Sequence, residues 1–161
     1  MPTVLFVCTG NLCRSPMAAA LLQARLARSG AGFPACRDEA RRDWQVGSAG
    51  VWTTDGRPAS AYAIEEMAQR GIDLRAQRAR NVTRALMVEA DLVLAMTQSH
   101  ADALTAAFPD QAHKVHLLSE MVGQKYDVYD PYGGLRLEYA YIAQELEGLI
   151  EAGYERIVTL V

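Results

Sequence analysis

Cys8 and Arg14 bracket five residues in the run Cys8-Thr9-Gly10-Asn11-Leu12-Cys13-Arg14-Ser15. A thiol and a guanidinium at this spacing suit an anion that is first held and then attacked. The planar fork of Arg14 matches two phosphate oxygens at once. Where such a loop runs into a helix, its successive backbone N–H groups form an anion nest, and the helix dipole favours negative charge there. The same field favours the thiolate of Cys8, the form that attacks phosphorus. The Ser15 hydroxyl is placed to donate to that thiolate and later to the departing sulfur. Gly10 is expected to let the backbone turn where a side chain would obstruct it. Asn11 suits a positive φ. Taken alone, Cys8 reads more readily as a small core residue ending a buried strand, and Cys-x5-Arg arises by chance. Catalysis is favoured only if the run lies between a strand and a helix.

The flanking sequence supplies that context. Residues 3–8 are apolar and rich in β-formers, too short for a helix, and read as a buried parallel strand. Pro16 sits where a helix's first turn tolerates it, and the Ala- and Leu-rich residues 17–28 favour a helix. Further along, 44–49 reads as a second strand, 58–70 as a helix stopped by Gly71, and 83–89 as a short helix capped by Thr83. Residues 91–96 read as a strand, 98–107 as a helix and 114–117 as a short fourth strand. The final helix is expected over 135–152, with Leu135, Tyr139, Ile142, Leu146, Leu149 and Ile150 on or near one face. Residues 30–43, polar and broken by Gly32 and Pro34, read as a solvated loop that contains Cys36. Strands alternating with helices predict an α/β fold built on an open parallel sheet. In such a sheet ligands bind beyond the carboxyl ends of the strands, where Cys8 lies.

Composition narrows the function classes. The chain has 161 residues, half of them apolar, which fits a single domain over 1–161. A net charge of only -3 predicts neither a nucleic-acid nor a membrane partner. No apolar run approaches a membrane span or a secretory signal, so the expected location is cytoplasmic. Three cysteines, without a Cys-x-x-Cys pair, argue against a disulfide framework. His100, His113 and His116 show no zinc spacing, so neither metal nor cofactor is expected.

Attack of a thiolate on a phosphate ester needs an acid to protonate the leaving oxygen. Asp130, in Asp130-Pro131-Tyr132-Gly133-Gly134, is the candidate, because Pro and Gly make a loop that presents a carboxyl at a site mouth. An Asp that merely starts a turn before Pro is the plain alternative. Asp127 is the neighbour with which it is most easily confused.

These motifs resemble the low-molecular-weight protein tyrosine phosphatases. The resemblance rests on CTGNLCRSPMA and continues in order through GSAG at 47–50, GRPAS at 56–60, GID at 71–73, RAR at 78–80, ADLVLAMT at 90–97 and DPYGG at 130–134. It implies a four-stranded parallel sheet with helices on both faces, the flavodoxin-like three-layer arrangement. It also implies a metal-free phosphatase acting on phosphoproteins, releasing inorganic phosphate through a phosphocysteine on Cys8, with Asp130 as acid and then base. By the same resemblance, Asn11 and Ser48 tie the loop into shape, and Gln77 stands where many relatives carry His. Trp52 and Tyr132 would wall an aromatic substituent, with Trp44 as a weaker candidate, and Cys13 could bond to an oxidised Cys8. Protein arginine phosphatases of the same kind carry Thr at the position of Leu12. An aliphatic Leu12 therefore favours phosphotyrosine over phosphoarginine. Thiol-dependent arsenate reductases also share the fold, but they need further cysteines after the second helix, and residues 70–96 contain none. A phosphoprotein-binding module without turnover would be expected to lack Cys8, Arg14 or Asp130.

Overall fold

The computed structural model describes residues 1–29 and 44–161. The loop expected over 30–43, with Cys36, lies outside the described residues. Four strands run parallel in the order β2-β1-β3-β4: β1 (Thr3–Cys8), β2 (Gln45–Gly50), β3 (Leu92–Ala95) and β4 (Val115–Leu117). The helices are α1 (Arg14–Ser29), α2 (Ala61–Gln69), α3 (Arg84–Glu89), α4 (Gln98–Ala107) and α5 (Arg136–Leu160).

The period of two in β1 divides its side chains between two cores. Val4, Phe6 and Cys8 join Met17 and Leu22 of α1 and Ile142 and Leu146 of α5. Leu5 and Val7 join Met87 of α3 and Leu104 of α4. A strand covered on both faces has no polar side to show, which is why 3–8 reads as an unbroken apolar run. The chain passes from β1 to β2 on one side and reaches β3 on the other. That puts the topological switch point at the carboxyl end of β1, immediately before the Cys8–Ser15 loop.

Several boundaries differ from expectation. The helix expected from 58 begins at Ala61, because Pro58 is engaged in an antiparallel bridge with Arg78. The last helix continues to Leu160, with Gly153 and Ile157 buried. A Cβ on Gly153 would lie 2.7 Å from that of Met121, so glycine here serves close packing and does not stop the helix. Leu135 is not part of the buried face: it precedes α5 and is 74% exposed, while Glu138 accepts a hydrogen bond from its backbone N–H. Two 3-10 turns, Pro109–Lys114 and Leu118–Val122, flank β4 and lacked a readable period in the sequence.

Candidate active site

The loop between β1 and α1 is held from outside by its carbonyls. Those of Cys8, Thr9 and Leu12 accept from the N–H groups of Val51, Trp52 and Ser60, at 2.9, 3.1 and 2.9 Å. Among the described residues the N–H groups of Thr9 to Arg14 have no protein acceptor. The loop is thus built with its donors free for an anion.

Gly10 does not play the part expected of it. Its φ is not positive, and a Cβ there would meet only the Leu12 side chain, at 3.7 Å. The turn is made by Asn11, at φ 56. The glycine that the loop requires is Gly50, at the end of β2, where a Cβ would come within 2.5 Å of the Thr9 carbonyl oxygen.

Asn11 is fully buried and locked at both ends of its amide. Its Nδ2 donates to Ser15 Oγ at 2.9 Å, and its Oδ1 accepts from the Arg80 N–H at 3.1 Å and from Gln77 Nε2 at 3.5 Å. Ser15 Oγ in turn lies 2.9 Å from Cys8 Sγ. Ser15 Oγ accepts from Asn11, and its own proton has two acceptors within reach: the sulfur at 2.9 Å and, farther off, the Ala49 carbonyl at 3.5 Å. Ser48 joins this network only through Gln77 Nε2, at 3.4 Å, and through its carbonyl, which accepts from Arg80 Nε at 3.0 Å. Arg80 is therefore a support that sequence reasoning missed, although RAR at 78–80 drew notice as a motif.

Arg14 is 4% exposed and held on three sides. Nη1 donates to the Val128 carbonyl at 2.9 Å, and Nη2 lies 3.5 Å from Thr9 Oγ1 and 3.4 Å from Asp130 Oδ2. The last contact brings a carboxylate across more than a hundred residues of chain to the loop. Asp130 Oδ1 accepts from the Tyr132 N–H at 3.1 Å, which orients the carboxyl. Asp127 is spent elsewhere: its Oδ1 accepts from the Gln98 N–H at 2.8 Å and caps α4. Position thus separates the two carboxylates: Asp130 reaches Arg14 and Asp127 the α4 terminus.

Cys8, Arg14 and Asp130 line one cavity of about 260 Å³, together with Leu12, Cys13, Trp52 and Tyr132. Trp52 and Tyr132 are 82% and 57% exposed, so they form the mouth and not the floor. Arg57, unforeseen, lines the same mouth and donates to the Tyr132 hydroxyl at 3.3 Å. Trp44 lies at a different cavity, beside Thr3 and Gln23. Cys13 is buried beneath the loop, 3.0 Å from Ser60 Oγ and 3.4 Å from the Tyr139 hydroxyl. Burial pushes its thiol up from the ordinary cysteine value, and burial likewise pushes Tyr139 up to about 12. Among the described residues no three His, Cys, Asp or Glu side chains gather at metal-binding distances.

A profile described as low molecular weight phosphotyrosine protein phosphatase matches residues 3–158. The chain belongs to this family. As a member it is a cysteine-dependent phosphatase. It is 37% identical to a protein-arginine-phosphatase of Geobacillus stearothermophilus over 97% of this chain and 96% of that one. It is 35% identical to a probable low molecular weight protein-tyrosine-phosphatase, EpsP, of Ralstonia solanacearum, covering 98% and 97%. The crystal structure of a low molecular weight protein tyrosine phosphatase from T. tengcongensis superposes with a TM-score of 0.86, at 40% identity, covering 97% of this chain and 99% of that one.

One buried group near this phosphatase's site predicts a pH effect on stability. His100, 5% exposed in the first turn of α4, is held down to about 4 by burial and by the nearby Arg14 charge, against the opposing pull of Asp130 and Asp127. Between pH 6.5 and 4 the unfolded chain takes up a proton that the folded chain refuses. This contribution is fully present above pH 6.5 and lost as pH falls to about 4, amounting to up to about 3 kcal/mol. Thermal unfolding at pH 7.5 and 4.5 checks it: wild type should lose roughly 5 °C more than His100→Gln. Equal losses would refute it.

Proposed function

We propose that this phosphatase hydrolyses phosphotyrosine in proteins, and small aryl phosphates, through a phosphocysteine on Cys8. The observation that carries this reading is the shared cavity: nucleophile, guanidinium and carboxyl line one space with Leu12 below and two aromatic rings at its mouth. The Cys8 thiolate attacks phosphorus and the ester P–O bond breaks. Asp130 delivers its proton to the leaving oxygen. Arg14 and the free loop N–H groups hold the equatorial oxygens as charge develops. Ser15 then stabilises the departing sulfur as water, deprotonated by Asp130, attacks the phosphocysteine, releases inorganic phosphate and returns the thiolate. Every charge in the cycle has a partner in the chain's own side chains and amides.

Phosphoarginine is the second reading, favoured by the similarity to the Geobacillus protein-arginine-phosphatase. Leu12 weighs against it, since an aliphatic side chain on the cavity lining offers no hydrogen bond to a guanidino group. Matched peptides carrying phosphotyrosine or phosphoarginine decide between them. We expect kcat/KM to favour phosphotyrosine by at least about tenfold, the scale of one lost hydrogen bond to a charged group. Preference for phosphoarginine would overturn the use made of Leu12.

A reducing, cytoplasmic setting belongs to the same reading, because Cys8 and Cys13 are both free thiols. No described helix is long and apolar enough to cross a membrane. In this setting Cys13 has a protective role. Peroxide oxidises the Cys8 thiolate to a sulfenic acid; the Cys13 sulfur then attacks that sulfur, expelling water and forming a disulfide that a thiol reductant reopens. After peroxide and then dithiothreitol, wild type should regain most of its activity and Cys13→Ala much less. Equal recovery would remove the role.

A further inference from the structure

We infer that His100 is a positioning residue for the phosphate-binding loop, acting through the Thr9 hydroxyl on the guanidinium of Arg14. This rests on the reading of Arg14 as the phosphate-holding group. His100 Nε2 lies 2.8 Å from Thr9 Oγ1, and Arg14 Nη2 lies 3.5 Å from the same oxygen. The imidazole is placed by α4, whose first turn Thr97 caps by accepting from the His100 N–H at 3.2 Å. A connection therefore runs from the α4 terminus, through one buried ring and one part-buried hydroxyl, to the edge of the buried guanidinium that must face phosphate.

The other ring nitrogen identifies the tautomer. Nδ1 is buried and has no hydrogen-bond partner among the described residues. A bare buried N–H is costlier than a bare lone pair. The proton accordingly sits on Nε2 and is donated to Thr9 Oγ1. That oxygen then accepts from two donors, His100 and Arg14, and is fixed between them. The ring faces Arg14 from α1 and Asp127 and Asp130 from the acid loop, and burial keeps it neutral. A neutral ring donates to Thr9 without repelling the Arg14 charge next to it.

The test uses the full chain, inorganic phosphate as the binding probe and p-nitrophenyl phosphate as substrate. His100→Leu and Thr9→Val should each weaken phosphate binding and lower kcat/KM by roughly tenfold, and the double variant should fare no worse than either single one, as residues acting in series require. His100→Gln, which keeps a nitrogen donor near the Nε2 position, should recover most of the loss, so a general packing defect is distinguishable from a lost hydrogen bond. Nitrogen-15 shifts of the wild-type ring should report the Nε2–H tautomer. Unchanged phosphate affinity in His100→Leu, additive losses in the double variant, or an Nδ1–H ring would each overturn the assignment. A wild-type protein that binds phosphate without turning over the aryl ester would refute the proposed function and leave the binding comparison to judge His100.

Discussion

Cys8→Ser is expected to abolish turnover of an aryl phosphate, by at least about 10⁴-fold in kcat. The serine hydroxyl keeps the size and the contact with Ser15 but not the nucleophile, since its alkoxide is scarce at neutral pH and no general base lies beside it. Among the described residues the only side-chain group within hydrogen-bond distance of Cys8 Sγ is Ser15 Oγ, at 2.9 Å. The activation that suits a thiol, a field of N–H groups and a guanidinium, is too weak for an alcohol. Binding should persist, because Arg14 and the loop donors are untouched. Inorganic phosphate should therefore still protect the variant against heat. Hydrolysis of p-nitrophenyl phosphate at more than a few per cent of the wild-type rate would end the assignment of Cys8.

Asp130→Asn should cost roughly 10²–10⁴ in kcat, the usual worth of a positioned acid. The size of the loss is expected to depend on the leaving group. Nitrophenolate departs without much help, whereas the phenolate of tyrosine needs a proton, so phenyl phosphate should suffer more than p-nitrophenyl phosphate. The substitution also removes a negative charge 3.4 Å from Arg14 Nη2, so affinity for phosphate should hold or improve while kcat falls. Asp127→Asn makes the matching control. It keeps an acceptor for the Gln98 N–H that caps α4, so activity should remain near wild type. Equal losses for phenyl and nitrophenyl esters in Asp130→Asn would remove Asp130 from the role of proton donor.

How much of this was legible depends on distance along the chain. The strand 3–8 and the helix 98–107 coincide with β1 and α4 because each carries its own signal: an apolar run without a polar face, and a Thr cap ahead of helix formers. The starts of α2 and α5 moved because their neighbours decide them: a bridge at Pro58 and an exposed Leu135 are settled by contacts that local propensity does not encode. Gly10 and Gly50 show the same limit. A glycine inside a functional loop invites a conformational explanation, yet the one under steric compulsion sits on the neighbouring strand, against the Thr9 carbonyl.

By itself the sequence determined the chemistry of the loop: a thiol, a guanidinium and a hydroxyl within eight residues, between a strand and a helix, where neighbours along the chain are neighbours in space. It also carried Asp130 as a candidate, but no feature of its motif says which loop it faces or separates it from Asp127. Tertiary structure alone decided that, by turning one carboxylate to Arg14 and the other to the α4 terminus. It alone brought Arg80 to Asn11, Arg57 to the cavity mouth, and His100 to Thr9 across 91 residues. The physical reason is that a parallel sheet gathers the carboxyl ends of its strands at one edge, so the partners of a loop on β1 come from the segments that follow β2, β3 and β4. Those contacts are set by strand order, and no periodicity or spacing along the chain records it.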